Sequence, residues 1–557
     1  MAKIGDLLIK KGLITPQQFE MAAQESQRSG EIIGKTMVQM KLITQEQLLE
    51  ALSEQLGLGY FASLKDINIS LDVIKAIPAK FVWHYKFMPL KIVNRVLTIA
   101  VSDPLAVWIM EDLKLNLGYD VERVLSSEEE ILAAIRKYYG VGAETVEEIL
   151  THETAAFREQ QVKREEIEDV EKGAQDASVI KLVNQILSEA VASRATDIHI
   201  EPYRNRVRVR YRIDGILYDV RVPEQIKILH PAIVSRIKIL SNLNVVEKRL
   251  PQDGRAIIKI QDKQVDLRIS IIPASFGENV VIRILPVHLL FNIDDLGLSP
   301  EDMQKIDTIM QKPHGIIFLT GPTGSGKTTT LYVCLNKLNK EAVKIITIED
   351  PIEYELDGVM QIQVKPEIGF SFANALRSIL RHDPDIMMVG EVRDLETAEL
   401  AIRTALTGHL IFSTLHTNDA CSGATRLLDI GIEPYLVASS VNAFISQRLV
   451  RVICPTCKTE RTDKDILSSI FKNIKVYYGK GCDNCNRIGY KNRIAIYEIL
   501  LIDDFIQELI LNRASATQIK KRAKELGFKT LWECGLEKIK QGITTPEEVL
   551  RVTEWKE

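Results

Sequence analysis

The sequence predicts an α/β protein organised around a phosphate-binding P-loop domain with a parallel sheet, accompanied by a second α/β domain, an N-terminal docking module and a metal-binding C-terminal subdomain. Three observations predict this. From Gly315 onward short β-rich runs (Ile316 to Thr320, Ile345 to Ile348, Ile386 to Val389, Leu410 to Ser413) alternate with helical patterns, the signature of βαβ units. The string Gly321 to Thr328 fits G-x-x-x-x-G-K-[ST]. Two C-x-x-C pairs follow it in the last fifth of the chain.

With 557 residues, of which 46% are hydrophobic and 26% charged, the chain exceeds one ordinary core and is expected to form three or four domains. A formal charge of −4 gives no global basic field, so nucleic acid is not the expected partner. The first residues, MAKIGDLLIKKG, are no secretory signal, and no window offers a long uncharged apolar stretch. A cytoplasmic protein is therefore expected.

An internal repeat opens the chain. Ile4-Gly5-Asp6-Leu7-Leu8 to Gly12-Leu13-Ile14-Thr15 is echoed by Ile33-Gly34 to Lys41-Leu42-Ile43-Thr44. Each copy reads as a helical hairpin, with Thr15/Gln18 and Thr44/Gln47 as capping boxes. Runs such as Val96 to Val101, and the helical stretch Glu128 to Tyr138, place a small α/β unit next. Residues 1–140 are thus expected to form the docking module. Between Glu144 and Lys172 acidic residues dominate with little apolar periodicity, so 141–176 is expected to be a charged linker. The helix Val179 to Ala192 and strands at Ile198 to Ile200, Val207 to Ile213 and Val265 to Ile271 define a domain over 177–292; the phosphate-binding core is expected over 293–440 and a C-terminal subdomain over 441–557.

The P-loop string sits between the apolar strand ending at Leu319 and a helical stretch from Thr329. Glycines let backbone N–H groups close around phosphates at a helix N-terminus, where partial positive charge favours an anion. Gly321, Pro322, Thr323, Gly324, Ser325, Gly326, Lys327, Thr328 and Thr329 are therefore the expected ATP-binding residues. Lys327 would reach the β- and γ-phosphates, and the Thr328 hydroxyl would ligate Mg²⁺. Hydrolysis also needs acids. Glu391 ends the apolar run Ile386 to Val389, where ligands of open sheets bind, and is the expected Mg²⁺-side acid. Glu349 and Glu353 follow another run and are candidates for polarising water. His416, with Thr414 and Thr417, is placed to sense the γ-phosphate.

Seven cysteines fall at 334, 421, 454, 457, 482, 485 and 534. Cys454, Cys457, Cys482 and Cys485 form two knuckles able to hold Zn²⁺ tetrahedrally with no open position, a structural site.

The P-loop, TIEDPIEYE (347 to 355), RSILRHDPDIMMVGEVRDLETAELA (377 to 401) and TGHLIFSTLHTNDA (407 to 420), with ATDIHIEP (195 to 202) and EKRLPQDGR (247 to 255), resemble the type II/type IV secretion ATPase superfamily, in its secretion-motor and pilus-extension branch. The resemblance implies a RecA-like ATPase domain joined to an N-terminal α/β (PAS-like) domain. It further implies a homohexameric ring at the inner membrane that works on a membrane platform protein, and a zinc insertion. Arginines of the second domain can complete the ATP site in such rings; Arg210 and Arg255 are the first candidates, with Arg212, Arg268 and Arg283 beside them. The repeated N-terminal unit resembles a helical module of these motors, a version of which binds cyclic di-GMP. Here Lys3 and Ile32 stand where nucleotide-binding copies open on arginine, and Lys41 replaces a glycine. Docking to a membrane-anchored partner is therefore the expectation and cyclic di-GMP the alternative. The rival from another class is a nucleotide-gated scaffold that does no mechanical work.

Overall fold

The computed structural model describes residues 4–29, 32–64, 67–104, 107–143, 145–146, 177–260, 263–286, 292–461, 471 and 474–553. Most of the expected linker lies outside them. The chain divides into two compact units, Met1–Leu285 and Pro286–Glu557.

In the first unit the repeat folds as two helical hairpins, α1 (Ile4–Lys10) with α2 (Pro16–Ser29) and α3 (Ile33–Gln39) with α4 (Gln45–Leu56). Both capping boxes form: Thr15 N donates to Gln18 Oε1 at 2.8 Å and Thr44 N to Gln47 Oε1 at 2.9 Å, while each threonine hydroxyl accepts the partner's N–H at 3.2 Å. The glycine of each I-G pair is required by packing. A Cβ on Gly5 would stand 2.3 Å from the Phe19 ring, and one on Gly34 3.0 Å from Leu48. The hairpin turns are equivalent as well: Gly12 has φ +69° and Lys41 φ +57°. The substitution of lysine for glycine therefore leaves the turn geometry unchanged and loads it with left-handed strain.

A small sheet follows, of β1 (Gly59–Tyr60), β2 (Met88–Val93), β3 (Val96–Val101) and β4 (Asp120–Leu125) in the order β1-β4-β3-β2. Its second sheet has six strands: β5 (Ala195–Pro202), β6 (Val207–Ile213), β7 (Ile216–Val220), β8 (Gln252–Ile260), β9 (Lys263–Ala274) and β10 (Gly277–Pro286), ordered β7-β6-β5-β10-β9-β8. Period-two alternation buries Ile198, Ile200, Val209 and Tyr211 on one face. That face packs on helix Ala177–Ala192, whose Ile186 carbonyl accepts from the Tyr211 hydroxyl at 2.9 Å. The opposite face carries Asp197, His199 and Glu201 beside Arg208, Arg210 and Arg212.

The second unit is built on a seven-stranded sheet of β11 (Gly315–Thr320), β12 (Ile345–Glu349), β13 (Met360–Gln363), β14 (Ile386–Val389), β15 (Leu410–Leu415), β16 (Val441–Ile453) and β19 (Tyr490–Leu501), ordered β13-β12-β14-β15-β11-β16-β19. All neighbours pair in parallel except β16 and β19. Buried on both faces, these strands read as continuous apolar runs. Ile316, Phe318, Met387 and Ile411 join one core, and Ile317, Leu319, Met388 and Phe412 the other. Because β16 and β19 are sheet strands, the boundary expected at 440/441 runs through the sheet. The cause is a 13-residue strand whose first half completes the core and whose second half leads to the cysteines. The knuckles themselves flank β17 (Lys458–Glu460) and β18 (Tyr477–Gly479), a two-stranded ribbon. Among the described residues no helix is long and apolar enough to cross a membrane.

Lys41→Gly is expected to stabilise the helical module by about 0.5–1 kcal/mol by removing that strain. Slower hydrogen exchange over residues 4–56 of the full chain checks it; unchanged or faster exchange would show that the turn is unstrained.

Candidate nucleotide site and metal centre

The phosphate loop leaves the C-terminal end of β11 and enters helix Lys327–Leu338. Three glycines make its bend: Gly321 at φ +145°, Gly324 at +78° and Gly326 at +86°. Gly326 is the N-cap residue of the helix, so the amides of the first turn point out of the loop. Lys327 is 9% exposed, and its Nζ donates to the carbonyls of Gly321 at 2.7 Å and Pro322 at 3.1 Å. Burial lowers its pKa to about 8, assisted by the Arg448 charge and opposed by Glu391. An ammonium held this loosely gains a proton-stabilising partner when an anion arrives. Thr328 and Thr329 follow on the half-buried first turn.

Two expected groups meet beside the loop. Glu391 follows β14 at the C-terminal edge of the sheet; its Oε1 accepts from Arg393 Nη2 at 2.8 Å, and its Oε2 lies 3.7 Å from His416 Nε2. His416 stands half-exposed after β15. Thr414 turns inward and donates to the Gly390 carbonyl at 2.7 Å, while Thr417 donates to the Asp419 carbonyl at 2.9 Å. Thr414 therefore fastens the Glu391 turn.

Glu349 ends β12 and is enclosed there. It is 3% exposed, with Thr347 Oγ1 donating to its Oε1 at 2.6 Å, Gln361 Nε2 at 3.0 Å, and the Tyr332 hydroxyl donating to its Oε2. Burial raises its pKa, against the pull of those donors. In this arrangement the carboxyl ties the phosphate-loop helix, through Tyr332, to β13, through Gln361, and does not face solvent. The Glu353 backbone N–H joins the same knot at the Tyr332 hydroxyl, 3.3 Å away.

The candidate arginines lie in the first unit, where Arg210, Arg212, Arg255 and Arg283 stand beside carboxylates. Arg210 Nη2 reaches Glu201 Oε1 at 2.6 Å, and Arg255 makes a fork to Asp266 at 2.7 to 3.0 Å. Arg212 and Arg283 both lean on Asp197, at 3.6 and 3.1 Å. Sequence reasoning missed Gln447 and Arg448 of β16, which lie against the phosphate loop. The signal present was polar residues inside an otherwise buried apolar strand.

The four cysteine sulfurs lie within 4.8 Å of one another, with Cys454 to Cys482 at 3.7 Å, Cys482 to Cys485 at 3.8 Å and Cys457 to Cys485 at 3.9 Å. A tetrahedral ion with bonds of about 2.3 Å demands sulfur–sulfur edges of about 3.8 Å. The cluster fits such an ion. The N–H groups of Gly481, Cys482 and Gly489 donate to sulfur at 3.3, 3.2 and 3.3 Å, as partners to thiolate ligands do.

A glycine-lined loop between a parallel strand and a helix, a caged lysine and an acid two strands away at the same sheet edge define a P-loop nucleotide-binding protein. Comparison with known proteins narrows this. The model of the family described as type II/IV secretion system protein matches residues 172–551, and that of the MshEN domain matches 56–145. The chain belongs to the type II/IV secretion system protein family. It is 42% identical over 558 residues to the type IV pilus assembly ATPase PilB of Myxococcus xanthus, covering 98% of both chains. It is 38% identical over 563 residues to type II secretion system protein E of Xanthomonas campestris pv. campestris, covering 99% of this chain and 98% of that one. The X-ray structure of the Legionella pneumophila ATPase DotB shares the fold at a TM-score of 0.50 and 20% identity, covering 66% of this chain and 94% of that one. The MshEN match falls on the small α/β unit and its approaches, leaving the helical repeat outside it.

The purified chain is expected to carry one metal ion bound by the four cysteines, and Cys482→Ser to lose it and expose the ribbon to proteolysis. Elemental analysis with limited proteolysis checks this; full metal content in Cys482→Ser would remove the assignment.

Proposed function

We propose that this protein is an ATP-hydrolysing motor that works as a homohexamer at the inner membrane, driving a type II secretion or type IV pilus machine through a membrane platform protein. The observation that carries the reading is the caged Lys327 in a glycine loop, with Glu391 at the next strand end but one. The names of the full-length relatives support the machine to which it is assigned.

The loop amides from Gly321 to Thr329 wrap the phosphates, and Lys327 exchanges its two carbonyl acceptors for phosphate oxygens. Thr328 and Glu391 are the groups we assign to Mg²⁺, which when bound offsets phosphate charge. His416, beside Glu391, senses the γ-phosphate. Glu349 reaches an attacking water only by releasing Tyr332, Thr347 and Gln361, so the knot around it sets when it acts. Arg210 and Arg255 are assigned to neutralise charge on the transferred phosphoryl, each by exchanging its carboxylate partner. Zn²⁺ is the ion assigned to the cysteines. The segments proposed at 1–140, 177–292, 293–440 and 441–557 would serve docking, ring contacts, catalysis and bracing. A membrane-anchored partner is assigned to the helical repeat, with cyclic di-GMP as the alternative ligand.

Lys327→Ala and Glu391→Ala are each expected to cut phosphate release by about 10²–10³-fold, measured on the purified chain with and without its membrane partner. Turnover surviving both changes would sink the motor reading.

A second test uses pH. A triphosphate favours the protonated lysine, and in the free protein that proton leaves near pH 8. Binding above that pH must take the proton back up, so the apparent Kd for Mg-ATP is expected to rise by up to roughly tenfold per pH unit. A flat Kd from pH 7 to 9.5 would show that the Lys327 charge does not contribute.

A further inference from the structure

Residues 446–448 of β16 meet the phosphate loop at both ends. The Gln447 carbonyl lies 2.7 Å, and Arg448 Nη1 3.0 Å, from where a Cβ on Gly321 would stand, and Gln447 Nε2 is 2.8 Å from the same point on Gly326. A side chain at Gly321 would press on the strand's backbone, and one at Gly326 on the tip of the Gln447 side chain. Gln447 is 2% exposed. Its Oε1, like the Ser325 hydroxyl oxygen, is a buried polar atom with no hydrogen-bond partner among the described residues. Such atoms cost free energy unless another state of the loop satisfies them.

The same residues reach a second loop. Arg448 Nη2 donates to the Asn418 carbonyl at 2.7 Å and its Nη1 to the Gln447 carbonyl at 3.1 Å. The Ser446 hydroxyl donates to the same Asn418 carbonyl at 3.4 Å. Asn418 lies two residues beyond His416, the residue that meets Glu391. One guanidinium therefore ties β16 to the turn after β15 while its Nη1 lies against the first glycine of the phosphate loop, a planar fork suited to holding two backbones in fixed relation.

We propose that Arg448 is a positioning residue of the nucleotide site: it ties the strand that backs the phosphate loop to the His416–Asn418 turn, with Gln447 as the buried wedge beneath the loop. The inference rests on the nucleotide reading above. In this role the arginine sets where Lys327 sits and how the occupancy of the phosphate loop reaches His416.

A tie of this kind has a consequence that loose packing alone would not produce. Fluorescent ATP analogue binding and steady-state kcat and KM are measured on the full chain, on Arg448→Met and on Arg448→Lys. In both variants analogue affinity and KM should stay within about threefold of the parent, because the loop's own groups still meet the phosphates, while kcat falls at least roughly fivefold, because neither side chain reproduces the fork. A smaller fall in kcat, or an affinity that falls as far as kcat does, overturns the inference. Should Arg448→Met fail to fold, the kcat and KM of Arg448→Lys decide by the same limits. A parent chain that binds no nucleotide removes the nucleotide reading itself, and the inference with it.

Discussion

A lysine ammonium in a nearly dry loop must be given acceptors, and the second unit is arranged around meeting that need. The carbonyls of Gly321 and Pro322 turn inward on Lys327 only because the chain enters the loop at a φ open to glycine. The loop is backed at Gly321 by the backbone of β16 and at Gly326 by the Gln447 side chain. Desolvation leaves the charge weakly held, which makes the loop poor at keeping an ammonium for its own sake and good at exchanging carbonyls for phosphate. A parallel sheet then does the rest. Successive strand ends deliver Glu349, Glu391 and His416 to the same edge as the loop, because parallel strands all finish at one edge.

The buried polar groups at this edge divide into satisfied and unsatisfied ones, and the division follows their assigned work. Glu349 is satisfied three times over, which offsets the cost of burying it and makes it slow to leave. Glu498 on β19 is similar: it accepts the N–H of Ala420 at 3.2 Å and of Leu531 at 3.1 Å, fastening two helix starts to the sheet. Ser325 and Gln447, in contrast, keep unpartnered oxygens beside the loop. Rigid pairs brace the frame, and unmet ones sit where the loop itself must change.

What the sequence made legible was whatever is written locally. The phosphate loop is eight consecutive residues whose glycines, lysine and threonine each have a backbone or charge reason, so spacing alone places them. Thr44 and Gln47 are three apart and cap one another with no help from the rest of the fold. The cysteines are legible because two short knuckles need only one ion to meet. Glu391 follows from a strand run and its end. Glu349 follows equally well as a position, but its three donors come from β12, β13 and the phosphate-loop helix, so its occupancy could not be read from spacing. Arg448 is the clearest omission: it reaches Gly321 through strand order, and nothing near Gly321 in the sequence announces that β16 will be the neighbour of β11. The expected 440/441 boundary meets the same difficulty, since a strand that both completes a core and leads into the cysteine ribbon belongs to two segments at once.

That double membership explains the position of the metal ribbon. β16 runs from the core, past the phosphate loop at Gln447 and Arg448, to Ile453, and Cys454 follows immediately. β19 returns antiparallel from Tyr490, and the Cys454 N–H donates to the Gly489 carbonyl at 3.0 Å. The cysteines thus sit at the open end of a two-stranded extension, where an unsupported hairpin would fray. A tetrahedral ion held by the four sulfurs would close that end, and the backbones come close there: a Cβ on Gly479 would lie 2.0 Å from the Gly489 carbonyl. A second clamp lies between the ribbon and the sheet. Glu548 is 3% exposed and accepts from Arg451 and Arg551; burial works against its charge, but the two arginines outweigh it and hold its pKa near 2. An ion at the tip would hold the outer end of β16 and the Glu548 pairs hold the strand at Arg451, while its inner half is buried in the core between β11 and β19. The strand thus presents Gln447 and Arg448 to the phosphate loop from a firm backing, and an ion on a strand that also lines that loop would serve to keep this backing in register.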